Sequence, residues 1–205
     1  MGAITWGFAV FIGASIAAPT GGHINPAVTV GQAISGTTEW REVPWYFTGQ
    51  FAGAFVGAVL AYIVYKKQFD AHGDHADSVG IFATTPNIRA PLWNFASEAI
   101  ATFVLVLFLL TSPELSGTSA DGSIDLGNSA LGYAGVAFVI MALGAGLGGP
   151  TGYALNPARD FAPRALYALL PLKGKGSADW RYAWVPLAGP TTGAIFASLL
   201  VLTLP

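Results

Sequence analysis

Residues 21–31 read GGHINPAVTVG, and residues 151–161 read TGYALNPARDF. The triplet Asn-Pro-Ala stands at Asn25-Pro26-Ala27 and again at Asn156-Pro157-Ala158, 131 residues further on, each time after glycines. Asn is a favoured helix N-cap, and Pro is favoured at the first helical position, where its missing N–H costs nothing. Each triplet therefore predicts the start of a helix. The apolar segments that follow, 26–35 and 157–170, are too short to cross a bilayer, which takes about 20 residues. One such triplet would read as well as an ordinary capped helix in a loop. Two copies, each opening a half-length helix, point to a built feature.

The surroundings of both triplets are membranous. Of 205 residues, 53% are hydrophobic and 10% charged, against about 25% charged in a soluble domain. A net charge of −2 suggests no nucleic-acid partner. The absence of Cys excludes disulfides and thiolate metal sites. No nucleophile–base pair or metal cluster supports an enzyme, and no cofactor or metal site is expected. The stretch DAHGDHAD (70–77) has spacings a metal could use, but reads as an exposed hydrophilic loop. Met1 leads into an apolar run without a basic segment, so no cleavable signal is expected.

Five apolar runs are candidates to span: 2–18, 43–65, 93–112, 131–149 and 184–204. Between them lie a long polar stretch (66–91), a Ser/Gly/Asp linker (112–130) and a short basic loop (172–181). WYFTGQFAGAFVGAVL (45–60) follows the first half-helix, and WVPLAGPTTGAIFASLL (184–200) follows the second. Both carry glycines at four-residue spacing, Gly49, Gly53 and Gly57 in one, Gly189 and Gly193 in the other. That spacing suits close helix packing, here within the bundle rather than between copies.

The chain thus reads as one domain, 1–205, built from two related units: an incomplete first repeat (1–65), a long loop (66–92) and a complete second repeat (93–205). Complete units would have an odd number of spans and so be inverted, a pattern that places a site at the membrane midplane. In the second unit two spans precede Asn156; in the first only one precedes Asn25. The counterpart of the helix bearing Glu98 is missing from repeat 1. A fragment, a misassigned start codon and a genuine five-span variant would each account for it. The faces of spans 2–18 and 43–65 that hold Gly7, Gly49, Gly53 and Gly57 are then expected to lie uncovered.

With GGHINPAVT and GPTGYALNPARDF on the page, the chain resembles the major intrinsic protein family, the aquaporins and glycerol facilitators, from Trp6 to the C-terminus. The resemblance implies an all-α membrane protein with an aquaporin-like inverted repeat. Five spanning helices, against six in the family, would accompany two re-entrant half-helices. It also implies a multi-pass protein of the cell (plasma or inner) membrane, with a pore in each subunit of a homotetramer.

The paired triplets have a physics of their own. Two half-helix N-termini meeting at the midplane each present roughly half a positive charge, which opposes a dehydrated cation. Asn25 and Asn156 can each offer an amide N–H to one passing oxygen, and a water so held relays protons poorly. Lipid offers no partners to the non-helical backbone of 21–24 and 152–155. A wet pore lined by Gly21, Gly22, His23, Ile24, Gly152, Ala154 and Leu155 would supply them, with the triplets Asn25-Pro26-Ala27 and Asn156-Pro157-Ala158 at its middle.

The resemblance further implies a selectivity filter at Trp6, Gly144, Tyr153 and Arg159. Water-selective members have His where Gly144 stands and a small residue in place of Tyr153. Asp160 is typical of the glycerol-conducting branch. Arg159 would meet the hydroxyl edge of a polyol while Trp6 and Tyr153 form a corner for its C–H edge. Glu98 reads as a buried carboxylate accepting backbone N–H bonds from a pore loop, and with Asp160 as structural support. His23 is expected to line the pore beside Asn25.

The expected partners are glycerol or a similar polyol, water and the lipid bilayer, and the expected function is a passive channel that excludes ions and protons. A water-selective channel, a truncated non-conducting product and a coupled transporter are the alternatives. Family topology places 66–92 and 157–183 outside, yet these hold eight of the nine basic residues, the reverse of the positive-inside rule.

Overall fold

The computed structural model describes residues 1–112, 116–119, 122–125 and 130–204. The helices are α1 (Gly2–Ile16), α2 (Pro26–Ser35), α3 (Val43–Val64), α4 (Lys66–Ala71), α5 (Val79–Phe82), α6 (Pro91–Thr111), α7 (Ala130–Leu147), α8 (Pro157–Leu169) and α9 (Trp184–Val201). A 3₁₀ turn, Ala18–Thr20, precedes the first triplet. The five expected spans correspond to α1, α3, α6, α7 and α9, and the half-helices to α2 and α8. Among the described residues α3, α6 and α9 are long and apolar enough to cross a membrane.

Two expectations about the connectors need correcting. The linker 112–130 contains a two-stranded antiparallel ribbon, β1 (Ser116–Ser119) paired with β2 (Gly122–Asp125); its remaining residues from 113 to 129 lie outside the described ones. The loop 66–92 is not simply exposed. Phe69 and Phe82 pack with Tyr167 and Leu170 of α8 and its end. His75, read as part of a hydrophilic loop, is buried, with Nδ1 3.1 Å from Ser78 Oγ and Nε2 3.1 Å from the Phe69 carbonyl. The aromatic residues between the charges supply the apolar surface that folds this loop onto α8.

Glycines set the helix crossings. A Cβ at Gly7 would sit 2.7 Å from the Ala137 carbonyl oxygen, so α1 and α7 cross in close contact. A Cβ at Gly189 would meet Glu98 Cβ at 2.7 Å, and one at Gly193 would sit 2.8 Å from Phe103 N and overlap the Ala99 carbonyl. Helix α9 therefore lies directly on the backbone of α6, the most extensive helix pairing among the described residues. Ser198 of α9 also donates to the Gly31 carbonyl of α2 at 3.1 Å.

The matching glycines of α3 behave differently. A Cβ at Gly49, Gly53 or Gly57 would meet nothing within 4 Å, and in α3 only Val43 is buried. The expectation of bundle packing fails for these three because no described element lies on that face. Gly7 corrects the opposite expectation, being covered by α7. A groove of about 850 Å³ runs along α3 past Gly49, Gln50 and Gly53 to Asn156 and Arg159.

Candidate functional site

The two segments ahead of the triplets repeat one backbone conformation. Gly21 and Gly152 have φ of 82° and 81°, Gly22 and Tyr153 have 66° and 41°, and Ile24 and Leu155 have 44° and 55°. Asn25 and Asn156 then return to extended backbone at −152° and −146°. A β-branched Ile at positive φ is a strained outlier, of order 1–3 kcal/mol, and such strain gathers at functional sites. Both Asn residues cap their helices as the sequence predicts. Asn25 Oδ1 accepts from Ala27 N at 2.9 Å, and Asn156 Oδ1 from Ala158 N and Arg159 N at 3.0 and 3.2 Å.

The amide ends cross over. Asn25 Nδ2 donates to the Leu155 carbonyl at 2.8 Å, and Asn156 Nδ2 to the Ile24 carbonyl at 2.9 Å. Each loop is tied to the other through its own capping residue, a link the sequence did not reveal. One N–H of each amide remains for another acceptor. The first turns of α2 and α8 meet here. Pro26, Ala27 and Pro157 are buried in those turns and do not line the cavity, and Ala158, also buried, borders only the α3 groove. Where the two helix ends meet, the Asn side chains rather than those of Pro and Ala border the cavity.

A cavity of about 240 Å³ runs between the loops, lined among others by Trp6, Gly21, Gly22, His23, Ile24, Asn25, Ala154, Leu155 and Asn156. Gly152 is not among its lining residues; it lies against Thr84. The carbonyls of Gly21, Gly22, His23, Gly152, Tyr153 and Ala154 accept no hydrogen bond from any described residue. His23 stacks on Tyr46, centroids 4.3 Å apart, with Nδ1 3.2 Å from Thr29 Oγ1.

Arg159 and Trp6 come together, the guanidinium carbon 4.5 Å from the indole centroid. No described group accepts a hydrogen bond from that guanidinium, and its Nε is buried without a partner. Tyr153 lies flat on α7: a Cβ at Gly144 would sit 3.0 Å from the ring, and one at Gly148 would overlap it. The four filter candidates thus form two pairs, Trp6 with Arg159 and Gly144 with Tyr153, and Gly148 joins the second.

Behind the second loop stands Glu98, 1% exposed. Its Oε1 accepts from Ala154 N at 2.8 Å and its Oε2 from Leu155 N at 3.0 Å. The equivalent groups in the first loop, the N–H of His23 and of Ile24, meet no acceptor among the described residues. Asp160 accepts from Thr84 N and Oγ1 at 2.7 and 2.6 Å and from Arg164 Nε at 2.8 Å. Arg164, fully buried, also donates to the Ala178 and Thr84 carbonyls, both at 2.8 Å. It is a strut that pins the loop 66–92 to α8, not a pore residue. Its one sequence signal is the acid–base pair at four-residue spacing on α8.

Comparison with known proteins agrees with this architecture. The Major intrinsic protein (MIP) family matches residues 1–201. Glycerol uptake facilitator protein 2 of Lactiplantibacillus plantarum is 46% identical over 201 residues, covering 95% of this chain and 80% of its own length. The glycerol uptake facilitator protein of Bacillus subtilis is 41% identical over 95% of this chain and 68% of its own. Among solved structures, the aquaglyceroporin from Plasmodium falciparum superposes with a TM-score of 0.82 at 27% identity, over 98% of this chain and 81% of that one. A multi-pass chain with paired re-entrant loops and this breadth of likeness belongs to the major intrinsic protein family.

Proposed function

We propose that the chain forms a passive channel for glycerol and related small uncharged polyols, passes water, and excludes ions and protons. The names of its relatives and the family's architecture support the reading, which extends to a homotetramer in the plasma or inner membrane. The observation that carries it is the Arg159 guanidinium, held against the Trp6 ring with no acceptor for its donors among the described residues. A planar fork of N–H groups beside an aromatic face suits a solute with one hydroxyl edge and one C–H edge.

Past that point, unpaired carbonyls offer a run of acceptors, and the spare amide N–H groups of Asn25 and Asn156 offer donors at the middle. A water oxygen held by both amides has its lone pairs engaged, which interrupts a proton relay. Two helix N-termini facing the same point oppose cations. Both oxygens of Glu98 are engaged by backbone N–H groups, which disfavours a proton-driven cycle through this carboxylate.

The test is flux through reconstituted vesicles. Glycerol should equilibrate without accumulating, at a rate independent of pH gradient and membrane potential; uphill uptake would replace the channel with a transporter. Gly144→His with Tyr153→Cys narrows the space beside Arg159 and adds a donor, so glycerol flux should fall far more than water flux. Equal loss of both would move the filter elsewhere. The mass of the detergent-solubilised protein checks the tetramer.

A further inference from the structure

The cavity has an aromatic ring at its other end. Tyr133, in the first turn of α7, is buried at 8% exposure and lines the half of the cavity bounded by residues 21–24. Its ring lies across the backbone of Gly22. A Cβ there would sit 2.7 Å from Cζ and 2.8 Å from Cε1, and would overlap the hydroxyl oxygen. Gly22 also has φ of 66°, so backbone and contact both require glycine.

The ring can reach over the loop only because Gly22 has no side chain. Its neighbours on the wall are Val28, Leu109 and Val136, with Gln32 beside them. On the loop side stand the carbonyls of Gly21, Gly22 and His23, which accept nothing from the described residues. An apolar ring opposite a polar edge is also the arrangement of the outer pair, Trp6 and Arg159, with the polar partner changed from donor to acceptor.

We infer that Tyr133 is a second specificity-determining residue, whose ring over Gly22 sets the bore of the 21–24 half of the pore and limits the bulk of the polyol that passes. The inference rests on the channel reading above. It adds a narrowing that the outer filter does not control.

The experiment measures water, glycerol and the four-carbon polyol erythritol in vesicles carrying the full chain. Tyr133→Ala should raise the erythritol-to-glycerol permeability ratio roughly tenfold, the scale on which a pocket distinguishes one carbon more or less. Tyr133→Phe keeps the ring and should leave the ratio unchanged. A ratio unaltered by Tyr133→Ala overturns the inference, whereas a wild-type chain that passes no polyol overturns the channel reading instead. A second measurement uses the absence of Cys from the chain. In Tyr133→Cys a charged thiol reagent has a single target. Its reaction should block glycerol flux and should be slowed by glycerol. Modification that leaves glycerol flux intact overturns the inference as well.

Discussion

The two glycine rows give opposite answers to the same substitution. Gly193→Ala puts a methyl group where the Ala99 carbonyl already stands, with Phe103 N 2.8 Å away. Carbon atoms pack at about 3.5–4.0 Å, so α9 must move off α6 locally. Backbone cannot rotate aside as a side chain can. Overpacking of this kind costs typically about 1–3 kcal/mol, while replacing a helical Gly by Ala returns about 1 kcal/mol of propensity. The clash wins, because separation also draws α6 and its Glu98 from the second loop. Gly53→Ala meets nothing within 4 Å, so only the propensity gain of about 1 kcal/mol remains. The propensity gain is common to both variants, so they should differ by the clash alone, roughly 1–3 kcal/mol. For a chain of this length that is about 2–12 °C in midpoint. Thermal unfolding of the detergent-solubilised chain, followed by its tryptophans, reads the difference: Gly193→Ala falls and Gly53→Ala rises. If Gly53→Ala destabilises as much as Gly193→Ala, the α3 face is covered in solution and the reasoning is wrong.

Two further outcomes follow from buried polar groups. Glu98→Gln keeps one acceptor and turns an N–H toward the loop's own N–H. It should lower stability by about 2–4 kcal/mol and reduce glycerol flux; an unchanged midpoint would show that the loop holds its shape without the carboxylate. Arg164→Lys keeps the charge but loses the fork shared by Asp160, Thr84 and Ala178. It should cost about 3 kcal/mol, at the lower end for breaking a buried pair, while leaving the water-to-glycerol ratio of the remaining folded channels unchanged. A shifted ratio would place Arg164 in the pore wall.

Local rules made much of this molecule legible. The caps at Asn25 and Asn156 and the prolines after them marked the starts of α2 and α8, because a cap acts within one turn. Hydrophobic runs marked the five long helices for the same local reason. Glu98 stood out because a carboxylate in an apolar span needs donors, and the pore loop has them. The crossing of the two amides was not legible, since nothing local says which carbonyl an Asn will reach 130 residues away. Nor was Tyr133, one aromatic among many until Gly22 lay beneath it. The glycine rows misled because they are equal as sequence and unequal in what faces them.

Several of the basic residues that run against the charge rule make contacts within the protein. Arg164 is paired inside the protein and Arg159 lies against Trp6. Lys175 donates to the carbonyls of Tyr167, Ala168 and Leu170 at the end of α8, and Arg89 pairs with Asp179.

The crossed amides also set a timetable for biogenesis. The Asn25 amide needs a carbonyl 130 residues later in the chain. At a synthesis rate of about 5–20 residues per second, the first re-entrant loop waits on the order of ten seconds for its partner. During that interval its polar backbone has neither the second loop nor any acceptor that lipid could provide. The short helix α2 therefore cannot settle at the midplane when it emerges. The expected outcome is that it stays at the membrane surface until α8 arrives, which protection of a cysteine placed in α2 during stalled synthesis would measure.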